Sequence, residues 1–117
     1  MKTYHDLVAE AKPRITEVSA DDVRARLAQG ESFTLLDIRE PNEWKMGHLP
    51  GALHIPRGVM ESAIESRVPR EQEVVLYCAS GNRSVLAADV LQQMGYRKVS
   101  SMRGGIRAWA DAGGEVE

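Results

Sequence analysis

Hydrophobic and polar positions follow two rhythms along this chain. Phe33-Thr34-Leu35-Leu36-Asp37-Ile38 and Val74-Val75-Leu76-Tyr77 are short, near-continuous apolar runs. Runs of this kind suit strands buried on both faces, as in a parallel sheet. Ile15 to Val18, Leu53 to Pro56 and Lys98 to Met102 read as shorter strands. Between them lie stretches of helical pattern. Ser19 caps a helix with Asp21 and Asp22 in its first turn, Val23, Leu27 and Ala28 on its buried face, and Gly30 as its stop. Pro41 suits the first position of a short helix to Met46, with Glu43 in its first turn. Met60 to Val68 reads as a helix ended by Pro69, Val85 to Gly95 as a longer one, and Ile106 to Ala110 as the last. Gly113-Gly114 is expected to free the residues that follow.

Strands alternating with helices predict a three-layer α/β fold with a mostly parallel sheet. Asp6 to Lys12 also has helix-forming composition, closed by Pro13; so short a piece needs docking to persist. Residues 1–13 therefore read as a peripheral, helical arm and residues 14–117 as one domain. No internal repeat or linker divides them.

Composition narrows the function classes. The 117 residues are 43% hydrophobic and 27% charged, with a net charge of −2, the mixture of an ordinary globular domain. No basic stripe or aromatic ladder suggests a nucleic-acid partner. No stretch approaches the roughly 20 apolar residues of a membrane span. The first residues lack the apolar run of a signal peptide, so the expected location is the cytoplasm. A single cysteine excludes an internal disulfide and any multi-cysteine zinc site.

That cysteine is the strongest chemical signal. Cys78 stands where the Val74–Tyr77 run gives way to Ala79-Ser80-Gly81-Asn82-Arg83-Ser84 and then a helix. In open α/β sheets, ligands bind at the carboxyl ends of the strands. The first N–H groups of a helix point outward unpaired, and the helix dipole adds partial positive charge. Such a turn cradles anions and favours a thiolate over a thiol. The competing reading is an inert cysteine buried at a strand end.

The other candidates are weaker. Arg83 either faces the mouth and attracts an anionic donor, or is tied back to a carboxylate and shapes the loop; a guanidinium fork suits both. Asp37, at a strand end, reads better as an organiser of neighbouring loops, with Arg39 its partner, than as a catalytic acid. His48 reads as a turn histidine capping backbone groups rather than a base for Cys78. His48 and His54 lack the further ligands of a zinc site. Arg57 reads as a solvated surface residue, and Trp44 and Trp109 as core packing.

Three blocks of the sequence resemble single-domain rhodaneses, which are sulfurtransferases. They are Leu36-Asp37-Ile38-Arg39-Glu40-Pro41-Asn42-Glu43-Trp44 running into Gly47-His48-Leu49-Pro50-Gly51-Ala52, then Cys78 to Ser84, then Gly104-Gly105-Ile106-Arg107-Ala108-Trp109. The likeness spans about residues 14 to 115. It implies five mainly parallel strands with helices on both faces. It also implies that Cys78 takes the outer sulfur of a donor such as thiosulfate, holds it as a persulfide on the loop Ala79, Ser80, Gly81, Asn82, Arg83 and Ser84, and passes it to a thiophilic acceptor. Cyanide, a thiol, or a sulfur-accepting protein would serve as acceptor. Asp37 and Arg39 would support the site, and no metal or organic cofactor is called for. Two alternatives remain: a cysteine phosphatase or arsenate reductase, and a non-catalytic binding module of the same fold. Tyrosine phosphatases and the rhodanese-fold cell-cycle phosphatases place five residues between cysteine and arginine, whereas here Cys78 and Arg83 are separated by four. The smaller ring suits a sulfur atom better than a phosphate.

Overall fold

The computed structural model describes residues 1–117. Five strands form one sheet: β1 (Thr16–Val18), β2 (Thr34–Asp37), β3 (Leu53–His54), β4 (Val74–Tyr77) and β5 (Val99–Met102). Their order across the sheet is β1-β5-β4-β2-β3, and every neighbouring pair is parallel. The helices are α1 (Tyr4–Ala11), α2 (Ala20–Ala28), α3 (Pro41–Met46), α4 (Met60–Ile64), α5 (Asn82–Gln93) and α6 (Gly105–Asp111).

Side chains alternate across the sheet, as the pleat requires. Leu36, Val74 and Leu76 face Met60 and Ile64 of α4 and Ala87, Ala88 and Leu91 of α5. Leu35, Val75 and Tyr77 face Ala20 and Val23 of α2 and Trp109 of α6. β4 is buried along its whole length, which accounts for its unbroken apolar sequence. Fully burying one such side chain stabilises the fold by roughly 1.5–3 kcal/mol.

Local chemistry sets the helix starts. Ser19 Oγ accepts the Asp22 N–H at 3.0 Å and starts α2. At α1, Thr3 Oγ1 accepts the Asp6 N–H at 3.1 Å while the Asp6 carboxylate accepts the Thr3 N–H at 2.9 Å, a reciprocal box. α1 lies along α5: Val8 and Ala11 pack on Val85, and the Arg14 guanidinium grips both Asp89 oxygens at 3.1 and 2.9 Å.

Three sequence expectations are corrected. α4 ends at Ile64 instead of running to Val68. The residue before a proline disfavours the helical region, and Val68 precedes Pro69; the chain closes with the Val68 N–H donated to the Ile64 carbonyl at 2.8 Å. α5 begins at Asn82 rather than Val85, so Asn82, Arg83 and Ser84 form its first turn. The residues after Gly113-Gly114 are held, not freed: Trp109 Nε1 donates to the Glu115 carbonyl at 2.7 Å, and the His48 and Glu117 backbones exchange hydrogen bonds of 3.1 and 2.8 Å. Gly114 lies so close to the Trp109 indole that a side chain there would overlap the ring. No helix is long and apolar enough to cross a membrane.

Candidate active site

β4 carries the chain to Cys78, the turn Ala79–Gly81 reverses it, and α5 leads away. Cys78 is a free thiol, 1% exposed. The Gly81 N–H donates to its Sγ at 3.1 Å. Gly81 starts α5 at φ 98°, a left-handed conformation that side chains resist. A Cβ there would also stand 2.8 Å from the Gly104 nitrogen.

That contact belongs to a backbone-on-backbone junction with the start of α6. The Ile106 N–H donates to the Cys78 carbonyl at 2.9 Å, and the Arg107 N–H to the Ala79 carbonyl at 3.2 Å. Gly105, at φ 59°, is what lets α6 come so near; a Cβ on it would strike the Cys78 carbonyl oxygen and the Ala79 backbone. Below the sulfur, Ser84 Oγ lies 3.5 Å from Sγ and 2.7 Å from Ser101 Oγ. Both serines are fully buried.

Arg83 is tied back. Its two terminal nitrogens donate to the two Glu43 oxygens at 2.9 and 3.0 Å, joining the first turn of α5 to α3. This bidentate bond holds the Glu43 carboxyl down to about 2 against the cost of partial burial.

Asp37 and Arg39 form a second, buried pair. Asp37 accepts the Arg39 backbone N–H at 2.9 Å and its Nη2 at 2.7 Å, and the same Nη2 donates to the Gly47 carbonyl at 2.6 Å. Their hydrogen bonds order the β2–α3 loop and the turn after α3; none goes to Cys78. The Leu49 N–H of that turn donates to the Tyr77 hydroxyl at 3.1 Å. Burial pushes the Tyr77 phenol well above its ordinary value, so it stays neutral.

Among the six loop residues proposed to surround the sulfur, then, Gly81 reaches Sγ through its amide and Ser84 through its hydroxyl. Arg83 is held by Glu43. Ala79 gives its carbonyl to α6. Ser80 and Asn82 make no hydrogen bond to Sγ. His48 is also away from the thiol: its Nδ1 donates to the Trp44 carbonyl at 3.1 Å, closing α3, and its ring stacks on Trp44 at 3.5 Å. His54 stacks near Trp44 too, at 4.7 Å, and donates to the Arg39 carbonyl. Trp44 is thus a half-buried ring between two histidines rather than core packing, while Trp109 lies in the core. Arg57 is paired with Glu61 at 2.6 Å.

Glu43, Ser101 and Gly105 were not singled out by the sequence as parts of the site. Adjacent glycines at 104 and 105 are the one available signal, since paired glycines mark a close backbone approach. Beside the loop, a shallow cleft of about 330 Å³ opens between α3 and α6, with Ala79 among the residues that line it. A slightly larger hollow, about 370 Å³, lies between Arg24, Pro50 and Trp109 and does not touch the Cys78 loop.

Comparison with known proteins identifies the family and the fold. The family model for the rhodanese-like domain matches residues 19–112. A sulfurtransferase of Allochromatium vinosum is 40% identical over 85% of this chain and 92% of its own length. Among solved structures, a protein of unknown function from Rhodopseudomonas palustris, described as a possible tyrosine phosphatase, is 35% identical with a TM-score of 0.92, covering 100% of this chain and 96% of that one. The rhodanese-like domain of an Anabaena protein is 29% identical with a TM-score of 0.82, covering 86% and 77%.

Proposed function

The chain belongs to the rhodanese-like domain family, with a role in sulfur transfer, and we propose that Cys78 carries the sulfur as a persulfide. The Cys78 thiolate attacks the outer sulfur of thiosulfate. The donor's S–S bond breaks, its electron pair leaves with sulfite, and Cys78–S–S⁻ remains. Cyanide or a thiolate then attacks the terminal sulfur, and the pair of the breaking bond returns to Cys78. Two half-reactions through a covalent intermediate predict ping-pong kinetics.

The observation that carries this reading is the Gly81 N–H aimed at Cys78 Sγ from 3.1 Å at the start of a twelve-residue helix. A fixed amide and a helix dipole stabilise a sulfur anion with no reorganisation, as an oxyanion hole does for oxygen. The serines add to it. Hydroxyls rotate, so Ser101 can donate to Ser84 while Ser84 donates to the thiolate. The Asp37–Arg39 pair supports the site from outside by fixing the loop after β2.

A phosphatase reading draws on the description of the Rhodopseudomonas palustris structure. Two features favour sulfur over phosphate: four residues between Cys78 and Arg83, and an Arg83 fork already filled by Glu43. Phosphate-ester chemistry needs that fork for the substrate.

Intact-mass measurement tests the proposal. Thiosulfate should add one sulfur atom, cyanide should remove it, and Cys78→Ser should accept none while keeping its fold. A chain that gains no sulfur is a binding module at most. Hydrolysis of an aryl phosphate without sulfur loading would favour the phosphatase.

A further inference from the structure

The strands are all parallel, so their amino ends share the edge of the sheet opposite Cys78. At that edge lies an open hollow of about 260 Å³, lined among others by Thr16 of β1, Glu73 before β4, and Arg97, Lys98 and Ser100 around the start of β5. Ser100 is the anomaly there. It is 6% exposed, and its Oγ is the one buried side-chain oxygen or nitrogen of the chain without a hydrogen-bond partner. Native folds rarely leave such a group unpaired, and a bound ion is one of the usual reasons when they do. Thr16 stands beside Ser100 in the β1–β5 register, so the two hydroxyl-bearing side chains share one face of the sheet. The charge around them is positive. Arg97 and Lys98 are exposed and take part in no ion pair. Glu73 is the only acid lining the hollow, and Arg26 already holds its two oxygens at 2.8 and 2.9 Å.

We propose that this hollow binds a small phosphate-type dianion. Arg97 and Lys98 supply the charge, and the Ser100 and Thr16 hydroxyls donate to its oxygens. Ser100 decides the class of ligand. A cation is repelled by the two free basic side chains, and an apolar molecule leaves the hydroxyl unpaired. A phosphoryl group satisfies both demands, with negative charge and three strong acceptor oxygens. The hollow exceeds a phosphoryl group alone, so the free ion and a small phosphate ester both fit. Because the site lies at the other end of the strands from Cys78, its occupancy does not depend on the persulfide reading.

The test is an amide NMR titration of the native chain and of Cys78→Ser, at matched ionic strength, with inorganic phosphate and with glycerol 3-phosphate. Both proteins should show saturable shifts at Thr16 and at Arg97 to Ser100, and not at Ala79 to Ser84. Arg97→Gln combined with Lys98→Gln should raise the phosphate Kd about tenfold. Ser100→Ala should raise it about fivefold, yet keep or increase the thermal midpoint in phosphate-free buffer, because it deletes a group that has no partner there. Tighter binding of the ester assigns the site to a phosphorylated small molecule; tighter binding of the free ion assigns it to phosphate itself. No saturable shift with either probe, shifts confined to the Cys78 loop, or native affinity in Ser100→Ala overturns the proposal. So does a lower midpoint for Ser100→Ala without phosphate, which would mean that the hydroxyl is paired within the protein.

Discussion

Glu43 and Arg83 lie forty residues apart in sequence and meet through two parallel hydrogen bonds of 2.9 and 3.0 Å. The pair fastens α3 to the first turn of α5, one residue before Ser84 and two after Gly81. It is half-screened from solvent, with side chains 35% and 28% exposed for Arg83 and Glu43. Its acid behaviour is distinctive. The Glu43 carboxyl sits at about 2 in the fold against an ordinary 4.5, so the stability it contributes is complete above about pH 4.5 and is lost as pH falls through about 2. Glu43→Gln should lower the urea midpoint at neutral pH and flatten the acid-side decline between about pH 5 and about pH 2. An unchanged slope would mean that folding does not depress the Glu43 carboxyl.

Asp37 and Arg39 present the opposite balance. Both side chains are nearly sealed, at 0% and 6% exposure. Asp37→Ala leaves a guanidinium buried with only the Gly47 carbonyl as acceptor, and should destabilise the fold by about 3–5 kcal/mol in urea denaturation. Replacing both members together, Asp37→Leu with Arg39→Met, should cost less than the single change, because no buried charge is stranded. A double variant as weak as the sum of its singles would assign the pair's role to something other than charge compensation.

Gly105 and Gly30 separate backbone strain from close approach. Both have positive φ, 59° and 74°, yet a Cβ at Gly30 meets nothing within 4 Å while one at Gly105 collides with the Cys78–Ala79 backbone. Gly30→Ala should cost about 1–2 kcal/mol, the price of a left-handed alanine alone. Gly105→Ala should cost more and also slow sulfur loading, since α6 must withdraw and release the Cys78 and Ala79 carbonyls. Equal stability losses, with equal loading rates by intact mass, would show that the α6 junction does not shape the loop.

These relationships explain what the sequence made legible and what it hid. The parallel sheet was readable because Val74–Tyr77 is apolar at every position, a pattern that only double-sided burial requires. The thiol at the end of that strand was readable for the same local reason. The start of α5 was not, because Gly81 starts it through left-handed geometry with no side-chain cap, and Asn82-Arg83-Ser84 look like loop. Nor does any local signal announce that Glu43 will find Arg83, or that Glu115 to Glu117 will return to His48 and Trp109. Those contacts are products of the assembled fold, and the Gly113-Gly114 pair, which reads as flexibility, lies where the chain passes against the Trp109 indole.

Ser84 and Ser101 give the most discriminating prediction. Their hydroxyls, 2.7 Å apart and fully buried, are each other's partners, and Ser84 alone also reaches Cys78 Sγ. Ser84→Ala orphans Ser101 and should cost about 1–3 kcal/mol, while Ser101→Ala leaves Ser84 with Cys78 Sγ as its remaining partner and should cost less. The double alanine variant orphans neither and should cost clearly less than the sum, a coupling that a double-mutant cycle in urea measures directly. Activity should divide the two residues as well. Ser84→Ala removes the donor nearest the sulfur anion and should slow thiosulfate loading about fivefold; Ser101→Ala leaves that hydroxyl in place and should slow it less. If both single variants load sulfur at the native rate, the buried hydroxyl pair holds α5 to β5 and contributes nothing to the anion.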